Sequence, residues 1–246
     1  CKQISKKFDL FISTYGEMDF GQRGIQYIHF PQINCEAKNV LNSRFSTNPF
    51  LQKPYQRLCR IISGSSMEQM RNNITLVNSQ WTKKIVDNFY LINSTVVYPP
   101  VIDDFPKVKW EEKENGFVFI GRISPDKRPL EVIQILKKVK INQDIHLHIL
   151  GNEGMDRNYV DKVKRESVAN SSWILYKGLT SREELREIVS RHKYGISGKK
   201  FEHFGISIAE MVKAGSIVFI NNDGGQVEIV GNNEKLIYNS DSDAVD

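Results

Sequence analysis

Residues 201–215, FEHFGISIAEMVKAG, decide how the rest of the chain reads. They form a short loop feeding a helix, with Glu202 ahead of the helix and Glu210 inside it, seven residues lying between. Gly205 keeps the helix entrance bare, so backbone N–H groups there are open to an anionic or hydroxyl-rich ligand. Ile206, Ile208, Ala209, Met211, Val212 and Ala214 give the helix apolar surface, and Gly215 is a natural stop. Taken singly, either glutamate is an ordinary helix acid facing water. The pair gains weight from what surrounds it.

Outward from this stretch, strand and helix alternate about every 25 to 30 residues. FVFIGR (117–122), IHLHILG (145–151), WILYKG (173–178), YGIS (194–197) and SIVFIN (216–221) read as strands. The segments between them read as helices: 130–140, with Leu130, Ile133 and Ile135 or Leu136 inward; 155–168; and 181–192, opened by a Ser181–Glu184 capping box. Upstream, 8–14, 25–30, 74–79 and 96–98 read as strands, 54–62 and 82–90 as helices, and 34–54 as a polar loop. YPPVIDDFP (98–106) breaks all regularity and reads as a linker. The expected organisation is therefore two α/β domains, 1–105 and 106–246, each a parallel sheet with right-handed crossovers.

Composition narrows the class of partner. The 246 residues carry a formal charge of +5, which suits polyanionic ligands or acidic lipid. No basic run is interleaved with aromatics, which argues against nucleic acid. Cys1, Cys35 and Cys59 lack metal or disulfide spacing and read as reduced thiols of a cytoplasmic protein. No apolar run is long enough to span a bilayer. Basic residues at 2–7 and Lys83–Lys84 suit peripheral contact with an anionic membrane. A chain opening on Cys1 is expected to be a fragment.

In an open parallel sheet, ligands bind beyond the carboxyl ends of the strands. Arg122 follows one strand directly, with Lys127 five residues on; Glu202 and Glu210 follow another; Asp223, Gly224 and Gly225 follow a third. Cations at such turns suit a diphosphate, and carboxylates suit sugar hydroxyls. His29 ends a strand of the first half, where a lone histidine is ordinarily structural. No Gly-x-Gly-x-x-Gly follows any expected strand, which removes a dinucleotide-dependent oxidoreductase.

The joint pattern resembles the group 1 (family 4) glycosyltransferases of GT-B architecture, through GRISPDK (121–127), EHFGISIAE (202–210) and GGQVEIV (224–230). STYG, YIHFP, LVNSQWTKK and VVYPP in residues 1–100 are similar to the acceptor-side domain, and with EHFGI look closest to GDP-mannose-dependent mannosyltransferases that extend lipid-linked oligosaccharides. The resemblance implies two Rossmann-like domains facing a cleft, the first incomplete. It implies Arg122 and Lys127 on the donor diphosphate, Glu210 on the ribose and Glu202 on the sugar. It also implies amides at Phe204 and Gly205 near the donor, room at Gly224 and Gly225, and His29 toward the transferred sugar. His29, Arg122, Lys127 and Glu202 would be the catalytic set. The donor would be GDP-mannose, with a UDP-sugar second, the acceptor a saccharide or lipid-linked glycan, and transfer would retain anomeric configuration. With two cations on the leaving group and no Asp-x-Asp (Asp103 and Asp104 are adjacent, in the linker), neither metal nor other cofactor is expected. The family's glycine-rich N-terminal loop and C-terminal crossing helix have no counterpart here, and Ser216-Ile217 replaces the usual Thr-Pro. The rival expectation is a non-catalytic nucleotide-sugar-binding module working within a complex.

Overall fold

The computed structural model describes residues 8–31, 54, 57–58, 66–102 and 104–245. The chain divides into two compact units, Cys1–Pro99 and Pro100–Asp246.

In the first unit, β1 (Ile12–Ser13), β2 (Ile25–Ile28), β3 (Ile74–Val77) and β4 (Thr95–Val96) form a parallel sheet in that order. A short helix α1 (Met67–Arg71) precedes β3 and α2 (Gln80–Tyr90) follows it. Ser79 caps α2 by accepting from the Thr82 N–H at 3.0 Å, which satisfies one orphan donor of the first turn. Ile28, Val77, Val86 and Tyr90 make the core between sheet and helix. The strand expected over 8–14 is reduced to two residues. Phe8, Leu10 and Ile12 are exposed at this sheet edge, so among the described residues no second layer buries the apolar run. The expected loop at 34–54 and helix at 54–62 lie almost wholly outside the described residues.

The second unit is built on β5 (Glu114–Ile120), β6 (His146–Leu150), β7 (Ile174–Gly178), β8 (His192–Ser197), β9 (Ile217–Asn221) and β10 (Ile237–Tyr238). All pair in parallel, in the order β10-β9-β8-β5-β6-β7. The connections hold α3 (Pro129–Val139), α4 (Arg157–Ala169), α5 (Arg182–Arg191), α6 (Ile206–Lys213) and a single turn α7 (Gln226–Ile229). Alternate residues of the strands feed two cores. Phe117, Phe119, Leu147 and Ile149 pack with Ile133, Leu136 and Val163 of α3 and α4. Val118, Leu150 and Val218 pack with Val189 of α5 and Ile208 and Met211 of α6. Helices on both faces explain why these strands read as near-continuous apolar runs. Each fully buried Ile or Leu contributes roughly 1.5–3 kcal/mol.

The Ser181–Glu184 cap forms as expected, Ser181 Oγ accepting from the Glu184 N–H at 3.1 Å. β10 and α7 have no counterpart in the sequence reading. Phe105, on the first-domain side of the expected boundary, is buried in the second unit's core. At the amino-terminal end of the sheet, burial, followed by the neighbouring His192 and His146, depresses the His148 pKa to about 3. Among the described residues no helix is long and apolar enough to cross a membrane.

Candidate active site

At the end of β5 the chain stays nearly strand-like, with Ile123 N–H bonded to the Asn152 carbonyl at 2.8 Å. Alternation then buries Ile123 completely and turns Arg122 to solvent. Among the described residues nothing pairs with the Arg122 guanidinium. The following turn is fixed locally: Ser124 Oγ donates to Asp126 at 2.6 Å, and the Lys127 N–H donates to the Ser124 carbonyl at 3.0 Å.

This turn is strapped to the loop after β8. Lys127 Nζ donates to Glu202 Oε2 at 2.5 Å, Lys199 Nζ to Asp126 at 3.0 Å, and Arg128 to the Gly198 carbonyl at 3.3 Å. Arg128 also grips Asp241 through both carboxylate oxygens, at 3.0 and 2.8 Å. Gly198 makes the approach feasible, since a Cβ there would lie 3.0 Å from the Arg128 carbonyl. Asp126 feels two opposing effects: desolvation raises its pKa, but hydrogen bonds from Ser124 and Lys199 outweigh it and hold the carboxyl below its ordinary value.

The loop is anchored on its other side by main chain. The Gly225 N–H donates to the Glu202 carbonyl at 2.7 Å, and Glu202 and Gly224 form a parallel bridge. The space that Gly224 leaves is filled by Glu202 itself: a Cβ there would sit 2.2 Å from the Glu202 oxygen, and its φ is +95°. Phe204 is buried, and Gly205, at φ +105°, is the N-cap of α6 with no side-chain cap. Uncapped first-turn amides and the helix dipole suit an anion.

Glu210 is fifth in α6 and accepts from Arg182 Nη1 at 2.5 Å. Arg182 also reaches Asp104 at 3.4 Å and lies over the Phe105 ring, 5.3 Å from its centroid. Arg186 holds the other Asp104 oxygen at 2.6 Å. The hydrogen bond from Arg186 is the largest cause of the lowered Asp104 pKa.

The turn after β5, the loop after β8 and the Gly-Gly turn after β9 thus meet, bringing Lys127, Glu202, Gly224 and Gly225 together. Glu210 is tied to the start of α5, which follows β7. His29 is in the first unit, exposed just after β2, its Nε2 3.0 Å from the Thr14 carbonyl and its ring edge-on to Tyr27. Sequence reasoning missed Arg128, Arg182 and Asp104. Arg182 did carry a signal: a cation in the first turn opposes the helix dipole, so its position marks it as held by acids.

Residues 100–245 match the family described as "Glycosyl transferases group 1". The chain belongs to that family. Among curated relatives, the chain is 26% identical over 228 residues to the human GDP-Man:Man(3)GlcNAc(2)-PP-Dol alpha-1,2-mannosyltransferase, covering 81% of this chain and 46% of that protein. It is 28% identical over 248 residues to the Xenopus laevis protein of the same name, covering 89% and 51%. The chain spans about half the length of the curated relatives it matches. A solved glycosyltransferase from Rickettsia africae ESF-5 superimposes with a TM-score of 0.69 at 16% identity, over 99% of this chain and 66% of that one. The expected fold class holds: two Rossmann-like parallel-sheet units of GT-B type.

Proposed function

We propose that this glycosyl transferase chain is the donor-binding part of a mannosyltransferase. It would move mannose from GDP-mannose to a lipid-linked oligosaccharide with retention of configuration. The observation that carries the reading is the junction of three strand ends, where Lys127 and Glu202 meet at 2.5 Å at the same turn after β5 that carries Arg122, whose guanidinium has no partner among the described residues. Arg122 and Lys127 bind the diphosphate and stabilise the negative charge that develops as the bond to the anomeric carbon breaks. Glu202 accepts from the sugar hydroxyls and Glu210 from the ribose. Amides at Phe204 and Gly205 and the uncapped end of α6 supply further donors, with Gly224 and Gly225 holding the Glu202 loop in place. Lys127 and Arg182 hold these glutamates by charge-assisted bonds, and a bound donor would compete with both contacts. With two protein cations on the leaving group, the reaction needs no metal or other cofactor.

The choice of GDP-mannose and of a lipid-linked acceptor is favoured by the names of the relatives at 26 and 28% identity. The protein works at the cytoplasmic face of a membrane, where exposed Lys84 and the N-terminal lysines meet anionic lipid.

The experiment pairs calorimetry, using GDP, UDP and their sugars, with transfer of labelled mannose to a lipid-linked acceptor. Tighter binding of GDP, and loss of both binding and transfer in Arg122→Ala, are expected. Unchanged affinity in Arg122→Ala would overturn the diphosphate assignment. Binding without transfer would favour the non-catalytic module. His29→Ala, tested separately, lowers transfer while leaving GDP binding intact.

A further inference from the structure

Three of the chain's five histidines gather at the opposite end of the second sheet from the loops described above. His146 and His148 lie two apart on β6, and His192 opens β8. β5 runs between those strands, Gly116 pairing with His146 and Glu114 with His192. Gly116 is what lets the rings meet: a Cβ there would sit 2.3 Å from His146 Nε2. The imidazole of His146 therefore lies across β5 and reaches His192. The three ring pairs have centroids 5.4, 4.9 and 4.5 Å apart.

We propose that His146, His148, His192 and Glu114 form a divalent-metal site of zinc type that ties the amino-terminal ends of β5, β6 and β8. One ring nitrogen from each histidine lies within 4.8 Å of the others. His192 is 1% exposed, and its Nδ1–H donates to the Ile188 carbonyl at 2.6 Å. That bond sets the tautomer and leaves Nε2 as a lone pair, the arrangement typical of a metal-bound histidine. His146 Nε2 faces it at 2.9 Å. Glu114 Oε2 lies 3.3 Å from His146 Nε2 and 3.8 Å from His192 Nε2. Tetrahedral zinc with bonds of about 2.0–2.1 Å sets its ligand atoms about 3.3 Å apart; the spacings among His146, His192 and Glu114 bracket that value, and the ring nitrogens of the three histidines, within 4.8 Å, draw together on binding.

A plain hydrogen-bonded cluster accounts for less. One proton between His146 and His192 would satisfy that pair, yet among the described residues His148 Nδ1 is buried with no hydrogen-bond partner. A metal gives every ring a use for its lone pair. Lys113, the cation next to Glu114, is taken up by the carbonyls of Ser190 and Ala214. Glu114 is 46% exposed and offers the ion a way in. β8 runs five steps from His192 to Ser197, about 16 Å, so the ion sits far from the sugar-nucleotide loops. Its role is structural and does not depend on the proposed reaction.

The test uses the tag-free full chain, stripped with chelator and titrated with Zn²⁺, Co²⁺ and Mg²⁺ by calorimetry and thermal melting. One Zn²⁺ per chain with a Kd of about 1 µM or tighter is expected, and no Mg²⁺ binding. The Tm should rise by roughly 5–10 °C when free Zn²⁺ is about a hundredfold above Kd. Co²⁺ should give the intense visible bands of a four-coordinate ion. His148→Gln should weaken Zn²⁺ at least tenfold, and Glu114→Gln by a smaller factor. Equal affinity in the double variant His146→Gln/His148→Gln would place the ion elsewhere and overturn the proposal, as would a six-coordinate Co²⁺ spectrum. If His148→Gln does not fold, the Co²⁺ spectrum of the unaltered chain decides alone.

Discussion

Replacing Lys127 by Met separates the two jobs assigned to its ammonium. Charges 2.5 Å apart attract by roughly 7 kcal/mol at an effective dielectric of about 20, and by about 2 kcal/mol in water. The side chains are 27% and 16% exposed, so the pair lies between a surface bridge and a buried one. Hydration lost by both partners and the ordering of a long lysine offset most of the attraction, leaving a net of about 1–2 kcal/mol. Lys127→Met should therefore lower the Tm by roughly 3–8 °C. A double-mutant cycle with Glu202→Gln, read by urea unfolding, should return a coupling energy of about 1–2 kcal/mol. GDP binding supplies the second readout. Lys127→Met should weaken it about tenfold, because the diphosphate loses one charge-assisted bond while the free protein no longer has a pair to open. In the Glu202→Gln background the loss should be larger. A coupling below about 0.3 kcal/mol would refute the idea that this pair joins the two loops, and unchanged GDP affinity would refute the phosphate role.

Gly224→Ala should cost at least about 2 kcal/mol, because a Cβ would meet the Glu202 oxygen at 2.2 Å at a φ of +95°; chemical denaturation checks it. Ile133→Ala, at a completely buried position, should cost about 2–5 kcal/mol and leave GDP affinity unchanged. Glu210→Ala should weaken GDP binding about tenfold if the ribose bond is worth about 1.4 kcal/mol, with calorimetry as the measure. The Asp126 carboxyl is held below its ordinary value of 3.8 in the folded state, so its contribution is present above that pH and lost as pH falls through the folded value. Asp126→Asn should therefore be less stable than the unaltered chain at pH 7, and the gap should close below about pH 4, measured by urea unfolding across pH.

The second unit was legible because buried parallel strands leave an unambiguous mark: apolar runs such as FVFI and HLHIL, each closed by Gly or Ser. The same rule fails at β10, where two residues pair with β9 and give no pattern to detect. It also fails at β1, where an apolar run lies open to solvent. For the candidate site, motif spacing identified Lys127 and Glu202 but not their contact, because it joins residues 75 apart. Arg128 and Asp241 are 113 apart and belong to no motif. Gly224 reads as space, and only coordinates reveal that the space is taken by Glu202. The histidine cluster was hidden for the same reason. His-Leu-His reads as a strand, and the bare Gly116 that lets His146 reach His192 sits just ahead of the expected strand FVFIGR, outside any motif.

The sheet order has a consequence for the chain as it is made. β5, the first strand of its unit to leave the ribosome, is flanked by β8 and β6. Its later neighbour β8 is completed at Ser197, 77 residues after Ile120, which at about 5–20 residues per second is a delay of roughly 4–15 s. No hairpin can shorten that wait, since every pairing in the unit is parallel and needs a crossover. Throughout it, the apolar run 117–120 of β5 has one flank uncovered, an opening for chaperones and for self-association alike.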